Sequence, residues 1–283
     1  RTVLSFWEYI YLKKFLCEEI MRKLGAFYFS GTGNTRYVTE KLCGLLKNNF
    51  EVTVKDICAP DAADELKSSE TVILAFPVYG STPPVPMREF VFANAQSLKG
   101  KQAIIVATQY MFSGDGAASL GRAVEKLGAK VTHAEHFRMP NNISDCKILA
   151  IKNGSELSGM LEKTERRIER FARKICCGSP LKRGFNPISR AVGFFSQRAL
   201  FRKGEKEKRI LLKVKKAACV GCGACVRACP VKNIELLNGI AVPLGKCVLC
   251  YRCVNLCPQK AIKLFGKSLP EKQYKGVDST EKF

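Results

Sequence analysis

Eight of the chain's fourteen cysteines fall into two runs of identical spacing. The first is Cys219-x-x-Cys222-x-x-Cys225-x-x-x-Cys229-Pro230, and the second is Cys247-x-x-Cys250-x-x-Cys253-x-x-x-Cys257-Pro258. Three thiolates this close together wrap three iron corners of a cubane, and the fourth corner takes its ligand from the other run. The spacing therefore predicts one [4Fe-4S] cluster on Cys219, Cys222, Cys225 and Cys257, and a second on Cys247, Cys250, Cys253 and Cys229. Zinc is the competing chemistry, since paired C-x-x-C also binds it tetrahedrally. The third cysteine in each run, the Cys-Pro endings and the duplication itself argue for iron–sulfur clusters. The duplication continues downstream, where Ile234 and Leu236 match Ile262 and Leu264 as short strands covering the clusters. A segment this small buries little apolar area, so cluster binding supplies folding free energy as well as chemistry.

This repeat closely resembles the bacterial two-cluster ferredoxins. The other six cysteines (Cys17, Cys43, Cys58, Cys146, Cys176 and Cys177) are scattered and read as buried or inert thiols. Ligand thiols must stay reduced, so an anaerobic cytoplasm is the expected setting. No apolar run approaches the roughly 20 residues needed to cross a bilayer.

A second patch of chemistry lies far upstream. Ser30-Gly31-Thr32-Gly33-Asn34-Thr35 sits between a predicted buried strand, Leu24–Phe29, and a predicted helix, Tyr37–Leu46. A glycine- and hydroxyl-rich loop in that position is an anion cradle, with backbone N–H groups and a helix N-terminus aimed at the anion. It lacks the Gly-Lys-Ser/Thr of a P-loop, and Arg36 follows Asn34-Thr35 where a dinucleotide fingerprint would need a third glycine. The loop suits one terminal phosphate rather than a pyrophosphate.

The elements that position this loop alternate. Strands are predicted at 51–57, 71–76, 102–107 and 130–137, and helices at 85–95, 117–127 and 156–177. That order predicts an α/β, doubly wound parallel sheet with helices on both faces and ligands beyond the carboxyl ends of the strands. The same edge then carries two more loops, Pro77–Pro84 and Thr108–Gly116. The 30–35 loop resembles the FMN-phosphate loop of flavodoxins. The resemblance implies a flavin ring held between those two loops, with Tyr79 and Gly80 on one side and Tyr110 or Phe112, with Gly114, on the other. Glu135 lies between His133 and His136, but no cysteine is near them in sequence, and both read as structural. Nothing resembles a hydrolytic triad or an NAD(P) fingerprint.

The expected organisation is an N-terminal extension (1–20), a flavodoxin-like FMN domain (21–178), a basic linker (179–212), a ferredoxin-like domain with two [4Fe-4S] clusters (213–268) and a tail (269–283). Residues 1–20 read either as upstream sequence or as an amphipathic helix bearing Trp7, Ile10, Tyr11 and Phe15. The formal charge is +22, and two oxidised thiolate-bound cubanes would lower it by about 4. Much of the excess lies between Lys182 and Lys216, with twelve Lys or Arg against two Glu. Phe194, Phe195, Leu200 and Phe201 make one apolar stripe of a basic amphipathic helix there. Its use is packing within the chain, docking an acidic redox protein, or contact with an anionic membrane surface. The arrangement as a whole resembles flavodoxin–ferredoxin fusions, which implies electron transfer between FMN and two clusters. The alternatives are a ferredoxin-dependent reductase of a small acceptor, or a two-cluster ferredoxin with a non-flavin docking domain.

Overall fold

The computed structural model describes residues 21–152 and 154–277. The amphipathic reading of residues 1–20 lies outside the described residues. Six parallel strands form the main sheet in the order β2-β1-β3-β4-β5-β6. They are β1 (Lys23–Tyr28), β2 (Glu51–Asp56), β3 (Thr71–Pro77), β4 (Gln102–Gln109), β5 (Lys130–Arg138) and the two-residue β6 (Leu181–Lys182).

The central strands β3 and β4 are apolar and buried on both faces, as a sheet sandwiched between helix layers requires. Period-two alternation sends Phe27, Val72, Leu74, Phe76 and Ile105 to one face. That face is covered by α2 (Ala62–Ser68), α3 (Val85–Ala93) and α4 (Gly116–Lys126). Ala26, Ile73, Ala75, Ile104 and Val106 point to the other face. There α1 (Asn34–Leu46) presents Val38, Leu42 and Leu46 at four-residue spacing, and α5 (Gly154–Cys176) presents Thr164, Ile168, Phe171, Ala172 and Ile175. The reversal of strand order between β1 and β3 opens the crevice at which ligands of such sheets bind.

From β6 the chain climbs back over the carboxyl edge as α6 (Pro187–Gly193), a π-helical turn (Phe194–Arg198) and α7 (Ala199–Lys203). The four-residue apolar stripe expected here is corrected by the structure. Phe194, Phe195 and Leu200 are exposed, and only Phe201 turns inward, against Gly80. A buried ion pair decides the rotation of the helix instead. The Arg198 guanidinium, itself buried, reaches the fully buried Asp115 carboxylate and donates to the Ser81 carbonyl at 3.0 Å. Arg88 and Glu205 add a bidentate pair at 2.8 Å. The linker thus packs within its own chain.

The C-terminal unit is two-fold repetitive. It contains the antiparallel pairs β7 (Lys213–Val214) with β10 (Ile262–Lys263) and β8 (Ile234–Leu237) with β9 (Ile240–Pro243). Two short helices, α8 (Ala224–Ala228) and α9 (Arg252–Leu256), each carry the third cysteine of a run. The unit lies against the carboxyl edge of the main sheet, and Val248 and Cys250 join the core beneath α2–α4. The segment after β10 is tied down as well. Tyr274 is buried, donates its hydroxyl to Asn34 Oδ1 at 2.5 Å and donates its backbone N–H to Asn255 Oδ1 at 2.9 Å.

Candidate functional site

A cavity of about 290 Å³ opens at the carboxyl edge between the 30–35 loop and the loops after β3 and β4. Ser30, Gly31, Thr32, Asn34, Thr35, Tyr79, Gly80, Tyr110 and Phe112 all line it. Gly33 and Gly114 do not. Gly33 turns the chain into α1 with a left-handed φ of 85° and faces a neighbouring cleft. Gly114 packs beneath Gly193 of the linker, so its lack of a side chain serves that close approach. Phe112 stands 65% exposed at the mouth of the cavity.

The loop's polar side chains divide by role. Thr35 shares a hydrogen bond with Thr108 (2.7 Å), Asn34 donates to the Pro140 carbonyl (2.9 Å), and Thr32 accepts from Asn142 (2.9 Å). These bonds fix the loop. The Ser30 hydroxyl is buried and has no partner, which is the signature of a donor waiting for an external acceptor. The Tyr79 hydroxyl is likewise buried and unpartnered. Burial, with the Cys250 and Cys247 thiols close by, drives its pKa well above the ordinary phenol value.

Three further segments complete the walls, and no motif announced them. The loop after β5 contributes Met139–Ile143 and Leu149, the linker contributes Gln197 and Phe201, and the C-terminal unit contributes Leu249, Tyr251 and Phe265. The first obeys the same carboxyl-edge rule that located the other loops. The linker gave no signal beyond its aromatic content.

Two more cavities lie in the C-terminal unit. One is lined by Cys219, Cys222, Cys225 and Cys257, the other by Cys229, Cys247, Cys250 and Cys253. Each quartet takes three thiols from one run and one from the other. Among the described residues no three Cys, His, Asp or Glu side chains converge on a point that would hold a single ion. Four thiols, three from one run and one from the other, are the ligand set that a [4Fe-4S] cubane takes. Backbone amides already point at the sulfurs, with Asn233 N to Cys229 Sγ at 3.1 Å and Ala261 N to Cys257 Sγ at 3.2 Å. These two bonds occupy equivalent places in the repeat, and such donors stabilise sulfur-borne negative charge. Burial pushes the metal-free Cys247 thiol up to about 12 and raises those of Cys225, Cys250 and Cys253. Iron must displace protons to enter, so loading is coupled to proton release.

The flavodoxin domain family matches residues 26–141, and the 4Fe-4S dicluster domain family matches residues 211–258. The chain joins a flavodoxin domain to a 4Fe-4S dicluster domain. Ferredoxin-2 of Desulfomicrobium norvegicum is 64% identical over 25 residues, which is 9% of this chain and 42% of that ferredoxin. Megasphaera elsdenii flavodoxin in its two-electron reduced form is 25% identical, covers 44% of this chain and 94% of its own, and superposes with a TM-score of 0.38. Fusobacterium nucleatum flavodoxin bound to FMN is 17% identical, with 55% and 97% coverage and a TM-score of 0.40. The two domains imply FMN and two [4Fe-4S] clusters as the cofactors. The residues fit them: the Ser30 donor and the loop amides would take the phosphate, the cavity above them the flavin ring, and the two thiol quartets the clusters.

The flavodoxin and ferredoxin halves touch at the 30–35 loop itself. A Cβ on Gly31 would collide with the Cys250 carbonyl, so only glycine permits this approach. Arg252 donates to the carbonyls of Ser30 (2.6 Å), Gly31 (3.0 Å) and Ala228 (3.2 Å). Neither histidine is in the site. His136 accepts from the Ala117 amide at 2.9 Å, and His133 bonds the Ser179 carbonyl at 3.0 Å.

Proposed function

We propose that this electron-transfer protein relays electrons between FMN and its two clusters. The observation that carries the reading is the contact of the phosphate loop with the second cysteine run, where Gly31 meets Cys250 and Arg252 ties both sides together. A bound flavin exchanges one or two electrons and each cluster exchanges one, so a chain that holds both joins two-electron to one-electron traffic. The protein's own part is placement and the exclusion of water. Burial of Cys250 in the flavodoxin core, and of Cys247 and Cys253 in the core of the C-terminal unit, keeps solvent from these thiols. No side chain is required to move a proton.

The exposed cations of the linker, Arg202, Lys203 and Lys206, flank the exposed Phe195 and Leu200. This mixture supports docking of an acidic redox partner. Lys208 and Arg209 contribute less, because Lys208 lies over the Phe201 ring and the Arg209 Nε is buried. No described helix is long and apolar enough to cross a membrane.

The test is anaerobic purification with cofactor quantitation, followed by rapid reduction of the flavin. Near-stoichiometric FMN, about eight irons per chain, and cluster bleaching that follows flavin reduction in the same molecule are expected. Flavin and clusters that titrate without exchanging electrons would sink the relay.

A further inference from the structure

The two cysteine runs are copies offset by 28 residues that have diverged at particular positions. Gly221 and Gly223 of the first run adopt left-handed backbone conformations, with φ of 68° and 71°. The second run keeps the same geometry at the equivalent places but carries Leu249 (φ 61°) and Tyr251 (φ 62°). Left-handed backbone is costly for any residue with a Cβ, and more so for large ones, so the first run has the residue type the backbone prefers. A strained position that keeps a bulky side chain calls for something that side chain does.

Both side chains line the flavin cavity, while Gly221 and Gly223 line the cavity of the other thiol quartet. Leu249 and Tyr251 are nearly fully buried. The Tyr251 hydroxyl donates to Asp145 Oδ1 at 2.7 Å, and Asp145 Oδ2 also accepts from the backbone of Gly266 at 3.0 Å. Asp145 belongs to the loop after β5, another wall of the same cavity. The neighbouring substitutions follow suit. Ala224 is replaced by Arg252, which holds the phosphate loop, and Arg227 by Asn255, which donates to the Asn142 carbonyl at 2.9 Å. Every one of these four divergent positions contacts the flavodoxin domain or its cavity.

We propose that Leu249 and Tyr251 form the ferredoxin-side wall of the flavin site, so that FMN is bound between the two domains rather than by the flavodoxin domain alone. The cluster quartet containing Cys250, whose neighbours on both sides make this wall, is then the flavin's immediate neighbour. The quartet containing the exposed Cys222 is the outward one. The inference depends on FMN as the occupant of the cavity and is independent of whether electrons pass onward.

The experiment is anaerobic titration of FMN, followed by flavin fluorescence, into flavin-stripped full-length chain with its clusters intact. Leu249→Gly and Tyr251→Gly are compared with Val220→Gly, an exposed position of the outer run. Each inner-run variant is expected to weaken FMN binding about tenfold (about 1.4 kcal/mol) at unchanged iron content, and Val220→Gly to leave it unchanged. Riboflavin, which has no phosphate, should lose affinity by the same factor, marking the contact as one to the ring. Hydrogen exchange on the native chain gives a measurement free of any variant's folding. Added FMN should slow exchange across residues 247–256 and leave residues 219–228 alone. Native-like FMN affinity in both inner-run variants, or protection confined to the flavodoxin loops, overturns the proposal. Failure of the native chain to bind FMN at all would instead remove the cofactor assignment.

Discussion

Replacing Arg252 with methionine removes the guanidinium but keeps most of the apolar stem. Three backbone carbonyls lose their donor, and two of them, Ser30 and Gly31, belong to the phosphate loop. A hydrogen bond to a charged group contributes about 1.5–3 kcal/mol when sheltered. Arg252 is only partly buried, so about 1 kcal/mol per bond is the appropriate discount. The two loop bonds then hold the cradle in place by about 2 kcal/mol, which is about 30-fold in FMN affinity at 1.4 kcal/mol per tenfold. Fluorescence titration of FMN into the flavin-stripped, cluster-loaded chain measures this directly. Arg227→Met is the matched control, because Arg227 is exposed in the outer run and bonds only the Cys222 carbonyl there. It removes the same charge without touching the loop and should change affinity by less than about twofold. Equal FMN affinity in Arg252→Met and Arg227→Met would refute the claim that the ferredoxin domain props the phosphate loop.

Other consequences are equally direct. Arg198→Met strands the buried Asp115 carboxylate with Arg122 as its remaining partner. Breaking a buried pair costs about 3–5 kcal/mol, so denaturant unfolding should show a loss of that order and faster proteolysis of the linker. His136 is nearly buried and neutral, its pKa lowered to about 4 chiefly by burial. A base depressed in the folded state stabilises above its unfolded value of about 6.5 and loses that contribution as pH falls toward 4. The loss reaches about 3 kcal/mol, and His136→Gln should flatten that slope in urea titrations. Reversing the exposed charges at Arg202, Lys203 and Lys206 should weaken association with an acidic redox protein and reduce its salt dependence, while FMN and iron content stay native.

The sheet was legible because its signal is local. Continuous apolar runs such as Thr71–Phe76 have few alternatives to a buried parallel strand, and β3 is found at Thr71–Pro77. The cavity was half legible. Loops at one sheet edge can be inferred from strand order, which brought Ser30, Gly31, Thr32, Asn34, Thr35, Tyr79 and Tyr110 together. What could not be inferred was closure of that cavity by residues more than a hundred positions away. Phe201 enters because Arg198 is pinned to Asp115, and nothing in a local pattern announces a buried ion pair. The stripe of Phe194, Phe195, Leu200 and Phe201 assumed one continuous α-helical period, and the π-helical turn at Phe194–Arg198 breaks that period. Leu249 and Tyr251 did leave a trace: a repeat that exchanges two glycines for bulky residues is asymmetric for a reason.

That asymmetry also separates the two clusters in their exposure to solvent. Cys247, Cys250 and Cys253 are buried and their quartet is completed by the half-buried Cys229, with Cys250 packed into the flavodoxin core. In the other quartet Cys222 is exposed, Cys219 and Cys257 are half-buried, and the neighbouring Val220 is 64% exposed. Oxidants and chelators must reach a sulfur or iron to extract it, and access rather than intrinsic chemistry differs between the sites. Exposure of the loaded protein to a mild iron chelator should therefore proceed in two phases, pausing near four irons per chain, half of about eight. The species at the pause should still bind FMN, because the inner quartet and its wall are intact. Cys222→Ser should abolish the fast phase and leave the slow one. A single phase that empties both sites together, with FMN affinity falling in step, would mean that the domain opens as one unit and that burial of its thiols gives the inner cluster no protection.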